Sequence, residues 1–70
     1  MTTAPTIHLN DQPLPWREAL TLAALLAEQG HAPEAVATAV NAAFVPRAAR
    51  AHTRLAPGDH ITLFQAIVGG

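Results

Sequence analysis

Seventy residues with a formal net charge of −1, no cysteine, and no apolar run approaching the ~18 residues of a membrane span describe one small domain. That composition excludes a disulfide framework, a thiolate metal site and a sulfur nucleophile belonging to the chain itself. Four arginines set against five acids exclude a general nucleic-acid surface, and a cytoplasmic protein is expected. The chain has no lysine and so offers no ε-amine to an acyl donor, although a preference for arginine over lysine is the simpler account. Half the residues are apolar, many of them alanine. The core must therefore come from few large side chains: Ile7, Leu9, Leu22, Leu25, Leu26, Val36, Val40, Leu55, Ile61 and Leu63.

Residues 1–5 show no pattern. Thr6 to Asn10 alternates, with Ile7 and Leu9 on one face, and predicts a first strand. Asn10-Asp11-Gln12 is turn material, because Asn and Asp tolerate the left-handed region and bond their own backbone. Pro13-Leu14-Pro15-Trp16 predicts a second strand. Its two prolines cannot donate to a ladder, which places it at a sheet edge. Trp16 belongs either to the core or to the cover of that edge.

Thr21 predicts a helix N-cap, Leu22, Leu25 and Leu26 share one helical face, and Gly30 follows Gln29 as a left-handed stop. Two turns of helix are not stable alone in water and need a sheet to pack on. After His31-Ala32-Pro33-Glu34, the alanines permit a helix. The β-branched residues Val36, Thr38 and Val40 at period two favour a strand instead. Asn41-Ala42-Ala43 reads as a turn, Phe44-Val45 as a short strand stopped by Pro46, and 47–53 as irregular or a single helical turn. Leu55 enters the core before the turn Pro57-Gly58-Asp59, which Asp59 caps.

Ile61 to Val68 alternates with both faces largely apolar, as a central strand does. The order is hairpin, helix, short hairpin, terminal strand, with the last strand beside the first. This is an α+β arrangement, the β-grasp of the ubiquitin-like folds. It has a mixed sheet of about five strands and one main helix packed on one face. Residues 1–70 are expected to form a single domain, with 67–70 expected as a flexible Gly-Gly tail.

Phe64 falls opposite Ile61 and Leu63, and one helix covers only one sheet face. Together with Ala66 it is a candidate for partner docking, unless the loop Arg47–Thr53 folds over it. Arg47, Arg50 and Arg54 form a basic run, read as a solvated loop face or as a contact for an acidic partner patch. His8, His31, His52 and His60 lack the i, i+3 or i+4 spacing of metal ligands, so no metal site is expected. At the end of the sequence, Gly69 and Gly70 make a thin terminus whose carboxylate is ionised and inert until activated. By itself that tail fits insertion into another protein's active site, but it equally fits a frayed end or a cloning remnant.

Taken together, these residues resemble the ThiS family, the bacterial sulfur carriers of thiamin biosynthesis, over essentially the whole chain. The matching stretches are Leu9-Asn10-Asp11-Gln12, Leu25-Leu26, Val40-Asn41 and Val45-Pro46-Arg47. They continue with Leu55-x-x-Gly58-Asp59-x-Ile61 and Leu63-Phe64-Gln65-x-x-x-Gly69-Gly70. No single element is specific, but the set in this order is. Two departures are the prolines of the second strand, which put its length in question, and Ala42-Ala43, where the family commonly has a glycine-containing turn.

The resemblance implies a carrier that is not an enzyme, binds no cofactor and acts as cosubstrate. An E1-like adenylating enzyme, using ATP and Mg²⁺, would adenylate Gly70, with Val68 and Gly69 giving access to its active site. Sulfur from a cysteine desulfurase or equivalent would convert the adenylate to a thiocarboxylate, which thiazole synthase consumes as its sulfide donor. The alternatives are a related carrier, such as the small subunit of molybdopterin synthase, a ubiquitin-like modifier joined to amines through Gly70, or a binding module without tail chemistry. The molybdopterin relative is usually longer.

Overall fold

Two hairpins with the same turn geometry frame the sheet. In the computed structural model, which describes residues 4–65, strand β1 (Thr6–Leu9) passes through Asn10-Asp11 into β2 (Gln12–Pro15). Both turn residues have positive φ, 47° and 68°, as a two-residue type I′ turn requires. The hairpin of β3 (Val36–Val40) and β4 (Ala43–Val45) uses Asn41 and Ala42 in the same way, at 50° and 69°. Strand β5 (His60–Gln65) lies between the hairpins, parallel to β1 and antiparallel to β3, in the order β2-β1-β5-β3-β4. The expected mixed sheet and central last strand are both present. Despite its prolines, β2 pairs with β1 from Thr6↔Pro15 to Leu9↔Gln12, and the Trp16 N–H extends the pairing to the Pro5 carbonyl at 3.0 Å.

Helix α1 (Leu22–Glu28) starts where Thr21 Oγ1 accepts the Ala24 N–H at 3.2 Å, and Gly30 follows its C-terminus at φ 78°. Leu22, Leu25 and Leu26 are buried. At about 1.5–3 kcal/mol for each large side chain, that stripe holds a helix too short to stand alone. Two backbone bonds tie its approach to the segment before the last turn: Leu22 N–H to the Thr53 carbonyl at 2.9 Å and Leu55 N–H to the Leu20 carbonyl at 2.8 Å. A 3₁₀ helix, Arg47–His52, packs against α1 on the same side of the sheet.

The core consists of Ile7, Leu9, Leu20, Leu22, Leu25, Val45, Leu55 and Ile61, with Leu26 also buried. Leu20 and Val45 were not expected there. Val36, Val40 and Leu63 were, yet they are only half-buried. Val36 and Leu63 border an open cavity of about 330 Å³, lined also by His31 and Ala35 just past the helix end. The helix is too short to close that end of the sheet, and Val40 sits at the mouth of its hairpin.

Arg50 corrects the reading of the basic run as a solvated face. It is 4% exposed. Its Nε donates to Thr38 Oγ1 at 3.1 Å, and its terminal nitrogens donate to the Pro33 carbonyl at 2.8 Å and the Val36 carbonyl at 2.5 Å. Thr38, itself fully buried, donates its own hydroxyl to the Val45 carbonyl at 2.9 Å. Burial pushes the guanidinium's pKa down from its ordinary value, and the charge of Arg47 adds to that. Arginine remains a cation at neutral pH regardless. It therefore acts as an internal clamp between the 3₁₀ helix and the start of β3, while Arg47 and Arg54 are exposed.

Candidate functional site

Register decides what the uncovered side of the sheet presents. Ile61 and Leu63 point to the helix, so His60, Thr62 and Phe64 point away from it. The pairs Ala37↔Phe64, Ala39↔Thr62 and Ala39↔Phe44 place both phenylalanines and the two alanines on this same open face. Phe64 is 52% exposed and Phe44 is 69% exposed. The alanines have no bulk to fill the space between the rings, and Ala39 is buried by its larger cross-strand neighbours. On the β1 and β2 side the same face carries Thr6, His8, Pro13 and Pro15. None of these strand residues bears a permanent charge.

The 3₁₀ helix 47–52 lies against α1 and does not fold over Phe64, which settles that alternative for the described residues. Phe44 is a site residue that sequence reading did not single out. Only the burial of Val45, one position on in the same strand, reveals that Phe44 faces the other way. The charge lies elsewhere. On the helix side Arg17 and Glu28 form a bidentate ion pair, and the hydrogen bond from Arg17 holds the Glu28 carboxyl below its usual range. Asp59 is occupied as expected, capping its turn by accepting the Ala56 N–H at 2.8 Å and also accepting from Asn41 Nδ2 at 2.9 Å.

His8 and His60 are register partners, and their rings stack with centroids 4.7 Å apart and planes 9° from parallel. His8 Nδ1 is shut away from water without a hydrogen-bond partner among the described residues. Sequence spacing gave no hint of this pairing, because the two are joined only by the β1–β5 crossover. Stacked rings point their nitrogens side by side rather than at a common centre, and among the described residues no third His, Cys, Asp or Glu joins them.

The expected attachment and access residues, Gly70, Gly69 and Val68, and the expected docking residue Ala66, lie outside the described residues. Sequence comparison does reach them. The family model described as the ThiS family matches residues 4–70. This chain belongs to the ThiS family. Among solved structures it is similar to the thiamine biosynthesis protein ThiS from Geobacter metallireducens, with a TM-score of 0.75 and 25% sequence identity. That match covers 93% of this chain and 99% of the other. No curated protein shows significant sequence similarity to it.

As a ThiS-family member with the β-grasp fold, the chain is a small sulfur carrier of thiamin thiazole biosynthesis that works with partner enzymes. Among the described residues, the open face of this ThiS-family chain offers apolar area from Phe44 and Phe64. No helix among the described residues is long and apolar enough to cross a membrane.

Proposed function

We propose that the Gly70 carboxylate is the group this carrier brings to its partners, and that the open sheet face is what those partners grip. The observation that carries the reading is an uncharged sheet face bearing Phe44 on β4 and Phe64 on β5, the strand that leads towards a Gly-Gly terminus within the family match. A carboxylate is a poor electrophile, so its oxygen must first attack the α-phosphorus of ATP and release pyrophosphate. An E1-like adenylating enzyme supplies the ATP, the Mg²⁺ and the cations that neutralise the meeting anions. The terminal sulfur of a persulfide, derived from cysteine by a desulfurase or equivalent, then displaces AMP. A thiol then attacks the partner's sulfur of the resulting acyl disulfide, forming a new disulfide there and releasing the carrier's thiocarboxylate, which thiazole synthase consumes as sulfide donor.

The carrier is a cosubstrate in this scheme and binds no cofactor of its own. Phe64, Phe44 and Ala66 dock, Val68 leads into the tail, and Gly69 gives the terminus a narrow cross-section. Chemistry that depends on ATP and thiols places the protein in the cytoplasm.

The test is intact mass after incubation with an E1-like adenylating enzyme, ATP, Mg²⁺ and a sulfur source. The wild-type chain gains the mass difference between sulfur and oxygen. Deleting Gly70 draws the carboxylate back by ~3.3–3.6 Å, and Gly69→Val adds a branched side chain where the partner's channel admits backbone. Neither variant is converted, and both melt like the wild type. Conversion of the shortened chain at the wild-type rate would remove Gly70 as the reacting residue.

A further inference from the structure

The two hairpin asparagines do the same thing on opposite sides of β5. Asn10 gives its backbone N–H to the Ile61 carbonyl at 3.0 Å. In a parallel ladder that continued unchanged, the Asn10 carbonyl would next accept the Leu63 N–H. The chain has instead swung to positive φ at Asn10 to make the turn. Its side-chain Oδ1 takes over and accepts the Leu63 N–H at 2.9 Å, across 53 residues of sequence. Asn41 repeats the substitution at the start of β5. Its N–H donates to the His60 carbonyl at 2.7 Å, and its Oδ1 accepts the His60 N–H at 2.9 Å. A residue must tolerate the left-handed region and also carry a short side-chain acceptor to do both jobs, and asparagine meets both needs.

The two sides are not equivalent in function. Asn41 holds β5 at its first residue, His60, whereas Asn10 holds it at Ile61 and at Leu63, beside Phe64, the last bond on the β1 side among the described residues. On the β3 side, pairing holds β5 as far as Val36↔Gln65. On the β1 side, the described ladder runs from the His8 N–H on the Asp59 carbonyl to the Asn10 side chain on Leu63. We propose that Asn10 is a positioning residue for acyl activation at Gly70. Its amide fixes the direction and register in which β5 presents the C-terminal residues while the open face is docked. Loss of that bond frees two more residues on the β1 side, back to Ile61. The carboxylate is then delivered into the partner's active site over a wider range of positions.

This inference rests on the adenylation of Gly70 proposed above. It is tested with Asn10→Gly, which keeps the positive φ and removes the acceptor, and with Asn10→Asp, which keeps both. Asn41→Gly is the control, because it removes the matching bond at His60 together with the bond to Asp59. Two quantities are read: amide exchange at Leu63 in the free carrier, and the kcat and KM of pyrophosphate release by the E1-like enzyme with each carrier as substrate. In Asn10→Gly, Leu63 exchanges faster and kcat falls by about 3- to 10-fold, because reactions of this kind tolerate little misplacement. KM stays within about twofold, because the docking face is intact. Asn10→Asp remains within about twofold of wild type in both constants. Asn41→Gly loses more stability but keeps its kcat.

A kcat for Asn10→Gly equal to wild type overturns the proposal, as does an equal loss in Asn41→Gly, which would mark a general stability effect. Should Asn10→Gly fail to fold, Asn10→Asp carries the decision, and a fall in its kcat beyond twofold overturns the proposal. A wild-type carrier that releases no pyrophosphate overturns the adenylation reading itself, and the role of Asn10 with it.

Discussion

Arg50 holds three neutral acceptors with a cation almost sealed from water, and no carboxylate is among them. Truncating it leaves the Pro33 and Val36 carbonyls and Thr38 Oγ1 short of a donor inside the protein. Bonds from a charged donor contribute more than neutral ones, and orphaned buried acceptors cost their full desolvation. Arg50→Ala is therefore expected to lower stability by about 2–4 kcal/mol, measured by urea unfolding. Arg50→Lys does not restore it, because one ammonium cannot span three acceptors arranged for a planar fork. The basic run in the sequence concealed this role. A missing acidic neighbour suggests solvent, but a guanidinium is also satisfied by carbonyls, and these lie 14 and 17 residues away.

The two type I′ turns show how far an element tolerates an unsuitable residue. Asn10, Asp11 and Asn41 suit the left-handed region, whereas Ala42 at φ 69° does not. The hairpin forms nonetheless, held by the pairing of β3 with β5 and by Asn41. A non-glycine residue in this region costs roughly 1–2 kcal/mol, partly offset by the greater entropy that glycine loses on folding. Ala42→Gly is thus expected to raise stability by about 0.5–1 kcal/mol in the same unfolding assay. The opposite edge is blunted rather than strained. Pro13 and Pro15 lie on the outer strand β2, where a missing N–H leaves no central ladder unpaired.

At the scale of the molecule, the one α-helix and the five-stranded sheet of the described residues leave one sheet face without a cover among those residues. Phe44 and Phe64 together give that surface its apolar area, and neither lies in the core. Phe44→Ala and Phe64→Ala are each expected to cost less than about 1 kcal/mol of folding free energy. A phenylalanine inside a core would lose ~3–5 kcal/mol instead. If the face docks the adenylating enzyme, each change weakens that binding by ~1–3 kcal/mol, read by titration calorimetry beside a thermal melt. A melt that collapses while affinity holds would return the two rings to a structural role.

Features that depend on neighbours a few residues apart were legible in the sequence. Period-two alternation marked Ile7, Leu9 and Ile61, the i, i+3, i+4 spacing marked the α1 stripe, and Asn-Asp and Gly30 marked reversals of chain direction. Paired prolines marked an edge, and motif order pointed to the ThiS family. Phe64 could be assigned to the open face because counting helices shows how many faces are covered. The tertiary structure alone decided that Phe44 and Phe64 flank two alanines on one surface, and that His8 stacks on His60. It alone showed that Arg50 turns inward, and that Asn10 and Asn41 lend their side chains to β5. Each of these depends on which strands lie side by side and in what register. That is a property of β5 being inserted between two hairpins distant in sequence, and no local pattern encodes the pairing.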